Sequence, residues 1–182
     1  EVNEDRDRRA FTPVKDALKE SFRTIERLYE TKNPVTGVTT GFTDLDKMTS
    51  GMQASDLIIV AGRPSMGKTT LALCLAENAA TDPQNPVAAA VFSMEMATDQ
   101  LVMRMLCSQA KVDSWKLKTG FSTQRDLDNL VRAADKLSQA PIYIDDTPAQ
   151  TVLEVRAKAR RLKSEKDIGI IVVDYLQLMR GR

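Results

Sequence analysis

Gly62-Arg63-Pro64-Ser65-Met66-Gly67-Lys68-Thr69 lies between two apolar runs, Leu57-Ile58-Ile59-Val60-Ala61 and Thr70-Leu71-Ala72-Leu73-Cys74-Leu75-Ala76. The octet fits G-x-x-x-x-G-K-[ST], and its flanks read as a buried strand before it and a buried helix after it. Strand, glycine loop and helix together form a cradle for phosphate. Glycines let backbone N–H groups converge on phosphate oxygens, and the helix start adds the positive end of a dipole. Lys68 is expected to reach the outer phosphates of a nucleotide, and the Thr69 hydroxyl to ligate Mg²⁺. A chance turn of similar composition would not carry the strand and helix on either side.

The remainder of the chain is compatible with that reading and narrows it. Its 182 residues are enough for one ordinary domain. With 42% apolar and 28% charged residues it falls in the soluble globular class, and a net charge of +1 argues neither for nor against nucleic acid. No apolar run is long enough to span a bilayer, so no membrane role is expected. The opening Glu1-Val2-Asn3-Glu4-Asp5-Arg6-Asp7-Arg8-Arg9 is charged and carries no secretory signal; beginning without methionine, it reads as a cut edge. Cys74 and Cys107 both fall in apolar helical patterns and read as reduced core cysteines of a cytosolic protein. Two cysteines and no histidine exclude a His/Cys zinc site within the chain.

Residues 1–33 read as a charged lead-in and one helix. Thr12 is the expected cap, Pro13 the first helical position, and Val14, Leu18, Phe22, Ile25 and Leu28 or Tyr29 the apolar stripe, ending near Thr31 before Asn33-Pro34. The stripe packs either on its own domain or on a neighbouring subunit. Residues 34–182 read as an α/β domain. In the turn-rich part, Phe42, Leu45 and Met48 are expected to anchor a short helix. After the helix to Ala80, a second strand is expected at 87–92, although three alanines weaken it. Then come a helix over 98–110 with Leu101, Met105 and Leu106 inward, and Trp115 as a core plug. A helix to Gln139 follows, with Leu127, Leu130, Val131, Ala134 and Leu137 on its apolar side, and then a strand at 141–144. The capping box Thr151/Glu154 starts a helix burying Val152, Val155, Ala159 and Leu162. A last strand spans 168–173. Alternating helices and nearly all-apolar strands predict a mostly parallel sheet covered on both faces, with ligands at the carboxyl ends of the strands.

Three chemically loaded positions lie at such ends: the 62–69 loop, Glu95 and Asp174. An apolar strand ending in Asp174 fits a residue that holds Mg²⁺ together with Thr69. Glu95 is the candidate general base that orients a water in line with the γ-phosphate; the competing reading is a surface glutamate at a strand-to-helix turn. Arg156, Lys158, Arg160, Arg161, Lys163 and Lys166 form a basic run that reads as a solvated helix face in preference to a nucleic-acid contact.

Four blocks together resemble one family: Thr40-Gly41-Phe42-Thr43-Asp44-Leu45-Asp46; the 62–69 loop with Thr70; Phe92-Ser93-Met94-Glu95-Met96; and Val173-Asp174-Tyr175-Leu176-Gln177-Leu178-Met179. They are similar to the motor domain of bacterial replicative helicases of the DnaB type. The resemblance covers the chain from Thr12 onward and rests most on Arg-Pro-Ser-Met inside the loop and Asp-Tyr-Leu-Gln-Leu-Met after the last strand. It implies a RecA-like P-loop fold and a cytoplasmic hexamer that hydrolyses ATP or another NTP with Mg²⁺. It implies 5′-to-3′ movement on single-stranded DNA at the replication fork, with primase and a helicase loader as partners of the intact protein. Gly62, Ser65, Met66, Gly67, Lys68, Thr69 and Thr70 then match the nucleotide site, Glu95 the catalytic glutamate and Asp174 the second Mg²⁺ position. Arg104 falls where the family has a nucleotide-contacting arginine. The 12–31 helix matches the linker helix that docks on the next subunit of the ring. Ala97 departs from the family, where a serine or similar cap follows the Glu-Met pair. The sensor glutamine, DNA-binding loops and arginine finger are expected beyond Arg182, so the chain alone is expected to hydrolyse NTP only at a trace rate. A RecA-like recombinase or signalling ATPase, and a non-catalytic nucleotide-binding module, are the competing classes.

Overall fold

A computed structural model describes residues 13–31, 35–63 and 65–181. The expected charged lead-in, the cap at Thr12 and the stop at Asn33-Pro34 lie outside those residues. Strand β1 (Ala89–Ser93) is the centre of the sheet, with β2 (Ile142–Asp145) on one side and β3 (Ile170–Asp174) on the other, both parallel to it. Val91 stands between Ile144 and Val172 in the ladder.

The chain moves from β1 outward to β2, then back across β1 to β3. Two right-handed crossovers running in opposite directions must pass over opposite faces of a sheet. The helices are distributed accordingly. On one face Leu73 and Ala76 of α3 (Lys68–Ala80) and Leu101 and Met105 of α4 (Thr98–Ala110) close over Ala89 and Val91. On the other, Ala159 of α7 (Val152–Lys166) closes over Ala90 and Phe92. Side chains alternate along a strand with a period of two, which sends neighbouring residues of β1 into different cores. The alanines that weaken this strand by propensity suit it here, since small side chains let a helix approach each face closely. Helix α6 (Gln124–Gln139) packs on α4 through Leu130 and Ala133, beyond the short α5 (Ser114–Thr119).

Several sequence expectations are corrected. Residues 57–61 form no strand among the described residues: Leu57 is 84% and Ile59 72% exposed, and the segment enters no ladder. An apolar run becomes a strand only against an edge. Both edges of β1 are taken, and the outer edge of β3 stays unpaired among the described residues. Trp115 is no core plug: it is 61% exposed and stacks on Phe121, with ring centroids 6.0 Å apart. On α6 the buried residues are Leu130 and Ala133, while Leu127, Val131 and Ala134 face outward. Val152 is exposed in the first turn of α7. Among the described residues the stripe of α1 (Val14–Thr31) is exposed, Phe22 by 60%.

The short helix α2 (Thr43–Thr49) forms, but Phe42, Leu45 and Met48 do not anchor it. Its anchor is Asp46, buried, whose carboxylate accepts from the Thr40 amide at 2.9 Å, the Thr40 hydroxyl at 2.8 Å and the Thr39 hydroxyl at 2.9 Å. Burial works to raise the Asp46 pKa; those bonds outweigh it and hold the carboxyl below its ordinary value. The surrounding loop closes through an antiparallel bridge between Val38 and Met52. It fastens to α3 where Asn78 Nδ2 donates to the Thr40 carbonyl at 2.9 Å. Gly41, at φ +74°, sits so close that a Cβ would lie 2.4 Å from Asn78 Nδ2.

Candidate active site

The phosphate loop ends at Gly67, whose φ of 85° is a left-handed conformation that other residues adopt only with strain. A Cβ there would meet open space, so backbone conformation and not crowding demands the glycine. Helix α3 begins at once with Lys68, leaving the N–H groups of its first turn directed out of the helix end. Lys68 Nζ donates to the Gly62 carbonyl at 2.9 Å, so its side chain arches back over the loop. The same ammonium lies 6.0 Å from the centre of the Tyr175 ring, at the outer reach of a cation–π contact. Ser65 has a positive φ of 64° and Met66 is exposed at the tip. Pro64 lies outside the described residues.

Strand β3 brings Asp174 to this helix start. Asp174 is buried, and its Oδ2 has no hydrogen-bond partner among the described residues. Thr69, Ser93, Val172 and Asp174 line one narrow crevice. A buried, orphaned carboxylate oxygen in a crevice that Thr69 also lines fits a divalent cation. Magnesium usually takes one or two carboxylates and keeps water and phosphate for the rest, so a cage of three protein ligands is not required. No cluster of three or more His, Cys, Asp or Glu exists among the described residues.

Glu95 comes to the same sheet end through the β1–β3 register. Ser93 stands opposite Asp174, and the Met94 amide donates to the Asp174 carbonyl at 2.8 Å. The Ser93 hydroxyl then pins the turn, donating to the Met96 carbonyl at 2.8 Å and accepting from the Met96 amide at 3.1 Å. Glu95 rides on that turn, exposed, and makes no hydrogen bond among the described residues. The start of α4 after it has no side-chain cap of its own at Ala97. Asp146, just past β2, accepts from the Thr98 amide at 2.8 Å instead.

Lys68, Thr69, Asp174 and the Glu95 turn are thus gathered at one end of the sheet. Arg104 is not drawn into the crevice: it lies on the exposed side of α4 and makes no ion pair among the described residues. The basic run is partly spent locally, in Lys158–Asp145, Arg161–Glu165 and Lys163–Asp167 pairs. A wider groove lies under α7, lined by Tyr143, Asp145, Lys158 and Arg161, and holds none of the phosphate-site residues. Sequence reasoning missed Ser93, Tyr175 and Asp146 as site residues. Only Asp146 had a signal, an acidic pair at a strand end combined with an uncapped helix at Ala97.

The family model described as DnaB-like helicase C terminal domain matches residues 37–182. Replicative DNA helicase DnaC of Bacillus subtilis (strain 168) is 49% identical over 181 residues, covering 100% of this chain and 39% of that protein. Replicative DNA helicase DnaB of Geobacillus stearothermophilus is 50% identical over 181 residues, with the same two shares of 100% and 39%. Among solved structures, one described as an ATPase domain superposes with a TM-score of 0.83 at 29% identity, over 94% of this chain and 60% of that one. A DnaB-like replicative helicase, described with its interactions with primase, gives 0.78 at 29% identity, over 90% of this chain and 39% of that one. The chain spans about two fifths of the length of these curated relatives. Its parallel sheet, with helices on both faces and the phosphate loop at the strand ends, is the RecA-like α/β arrangement of such ATPase domains. By sequence over its whole length and by fold, the chain belongs to the DnaB-like helicase C-terminal domain family.

Proposed function

We propose that this chain is the NTP-hydrolysing part of a hexameric replicative DNA helicase that moves 5′ to 3′ on single-stranded DNA and opens duplex at the replication fork. One observation carries the reading: Thr69 at the start of α3 and the buried, unpartnered Asp174 at the end of β3 share one crevice, with the Glu95 turn laddered beside it. In this role the loop from Gly62 through Ser65, Met66 and Gly67 wraps the phosphates of ATP or another NTP. The amides of Lys68, Thr69 and Thr70 point at phosphate oxygens, and Lys68 exchanges the Gly62 carbonyl for one of them. Thr69 and Asp174 would hold Mg²⁺, which would supply charge neutralisation to the phosphate oxygens. Glu95 orients and deprotonates the attacking water. Arg104 contacts the nucleotide in the assembled protein.

The ring is supported by two exposed apolar surfaces. One is the α1 stripe of Leu18, Phe22 and Ile25; the other is the exposed Trp115–Phe121 stack. Seating the first on the second in a neighbouring copy makes a head-to-tail contact of the kind that closes rings. DNA contacts, the arginine finger, and the primase and loader contacts belong to other parts of the intact protein, in a cytoplasmic setting. These assignments rest on kinship.

The test is steady-state hydrolysis by the full-length protein. Lys68→Ala abolishes nucleotide binding or turnover. Glu95→Gln still binds Mg-NTP but loses about 10²–10⁴ in kcat, the range of a general base. Unchanged turnover in both variants would leave a nucleotide-binding module and overturn the hydrolytic reading.

A further inference from the structure

We propose that Asp146 is a positioning residue for Glu95: it supplies from a distant loop the cap that Ala97 lacks, and so fixes the segment that carries Glu95 at the phosphate site. This rests on the hydrolytic reading above and goes beyond it by adding a residue that touches neither nucleotide nor metal.

Residues 94–97 connect β1 to α4, and a carboxylate on so short a connection is only as well placed as its two ends. The near end is held by the Ser93 hydroxyl, which binds both the amide and the carbonyl of Met96. At the far end, Ala97 has the extended backbone of an N-cap, φ −67° and ψ 153°, and contributes no side-chain cap. The Thr98 amide is one of the donors that a helix start leaves unpaired. Asp146 Oδ2 takes that donor at 2.8 Å from 48 residues away in sequence. The register explains why it can. Phe92 of β1 pairs with Asp145 of β2, so the residue after Asp145 emerges beside the residue after Phe92, at the root of the Glu95 turn.

Asp146 is itself braced. Its neighbour Asp145 accepts from the Thr147 amide at 3.0 Å and pairs with Lys158 of α7 at 2.5 Å. The cap is thus tied through β2 to the helix on the opposite face of the sheet. Its charge also suits a helix N-terminus, and the bond from the Thr98 amide holds the Asp146 carboxyl below its ordinary range. A cap that only stabilised α4 could have been placed at position 97 itself. Supplied by the next strand, it makes the far end of the Glu95 segment part of the sheet.

The experiment is NTP hydrolysis by the full-length assembled protein, with kcat and KM measured separately. Asp146→Ala lowers kcat about tenfold or more, with KM within about twofold, because misplacing a reacting group by about an ångström reaches a hundredfold. Asp146→Asn, which keeps an acceptor oxygen, loses less. Adding Ala97→Ser to Asp146→Ala gives the helix a local cap on the Asp99 or Gln100 amide but no tie to β2, so it restores the melting temperature while kcat stays about tenfold down. If Asp146→Ala lowers the melting temperature but leaves kcat intact, or if Ala97→Ser restores kcat along with stability, the proposal is overturned. Should Asp146→Ala not fold, A97S is compared with A97S/D146A. A tenfold gap in kcat supports the role, and near-equal kcat overturns it. The wild type and Glu95→Gln separate the two levels. No turnover by wild type removes the hydrolytic reading. Wild-type turnover that is lost in Glu95→Gln and kept in Asp146→Ala removes only the role of Asp146.

Discussion

Strand β1 and the segment at 57–61 invite comparison because they look interchangeable on paper. Each is a short apolar run ahead of a chemically active turn. In the fold they are opposites. β1 pairs on both sides and is buried on both faces, although it is rich in alanine. The 57–61 segment holds two isoleucines, a leucine and a valine, yet it is exposed and unpaired. Hydrophobicity supplies the drive to be buried, but the neighbours decide whether a strand forms. β1 has β2 and β3 to complete its backbone bonds, and α3, α4 and α7 to cover it.

The sharpest way to break this contrast is to place one charge in each region. Val91→Asp buries a carboxylate in the core under α3 and α4 and should destabilise the 182-residue chain by more than about 4 kcal/mol, abolishing a cooperative melt. Leu101→Ala, which removes part of the cover of β1, should cost about 2–5 kcal/mol in urea unfolding. Glu77 of α3 sharpens the contrast from the other side, since it is an acidic residue in a buried place, only 3% exposed, with Oε1 unpartnered. Burial raises its pKa above 4.5, and Gln109 and Lys136 pull it back only in part. Its folded-state pKa lies above the unfolded one. Stability is therefore fullest below pH 4.5 as far as this group is concerned and falls as pH rises through the raised value. Glu77→Gln should remove that decline, seen as a flatter plot of unfolding free energy against pH from 4.5 upward. Smallest of all, Ile59→Asp should change the stability of this chain by no more than about 0.5 kcal/mol, as for an ordinary surface site. Amide exchange should match, fast at 57–61 and slow at 89–93.

Much of the architecture was legible because it rests on local signals. The capping box at Thr151 and Glu154 forms as its spacing requires, with the Thr151 amide donating to Glu154 at 2.7 Å. The helices after the phosphate loop and before β2 also lie where their patterns put them. What escaped depends on pairs distant in sequence. No local rule shows that Trp115 meets Phe121 on the surface, that Asp46 and not Phe42 secures α2, or that 57–61 joins no ladder. At the site, Lys68, Thr69 and Asp174 were readable from motif and strand ends. Of the predicted site residues only Thr69 and Asp174 line the crevice, and Arg104, placed only by kinship, lies on the exposed side of α4. Asp146 escaped because its partner is the amide of Thr98, and a backbone donor leaves no trace in composition.

The fastening between Asn78 and the Thr40 carbonyl has a mechanical meaning. The chain from α1 to the phosphate loop is clipped to α3 near that helix's C-terminal end, far from Lys68. A pull on α1 therefore meets this clip before it meets the loop, much as a cable clamp takes the load ahead of the connector. Gly41 makes the clip possible by having nothing to insert between backbone and asparagine. The fold thus gives the phosphate cradle strain relief, and the 57–61 stretch becomes the slack between the clamp and the loop it protects.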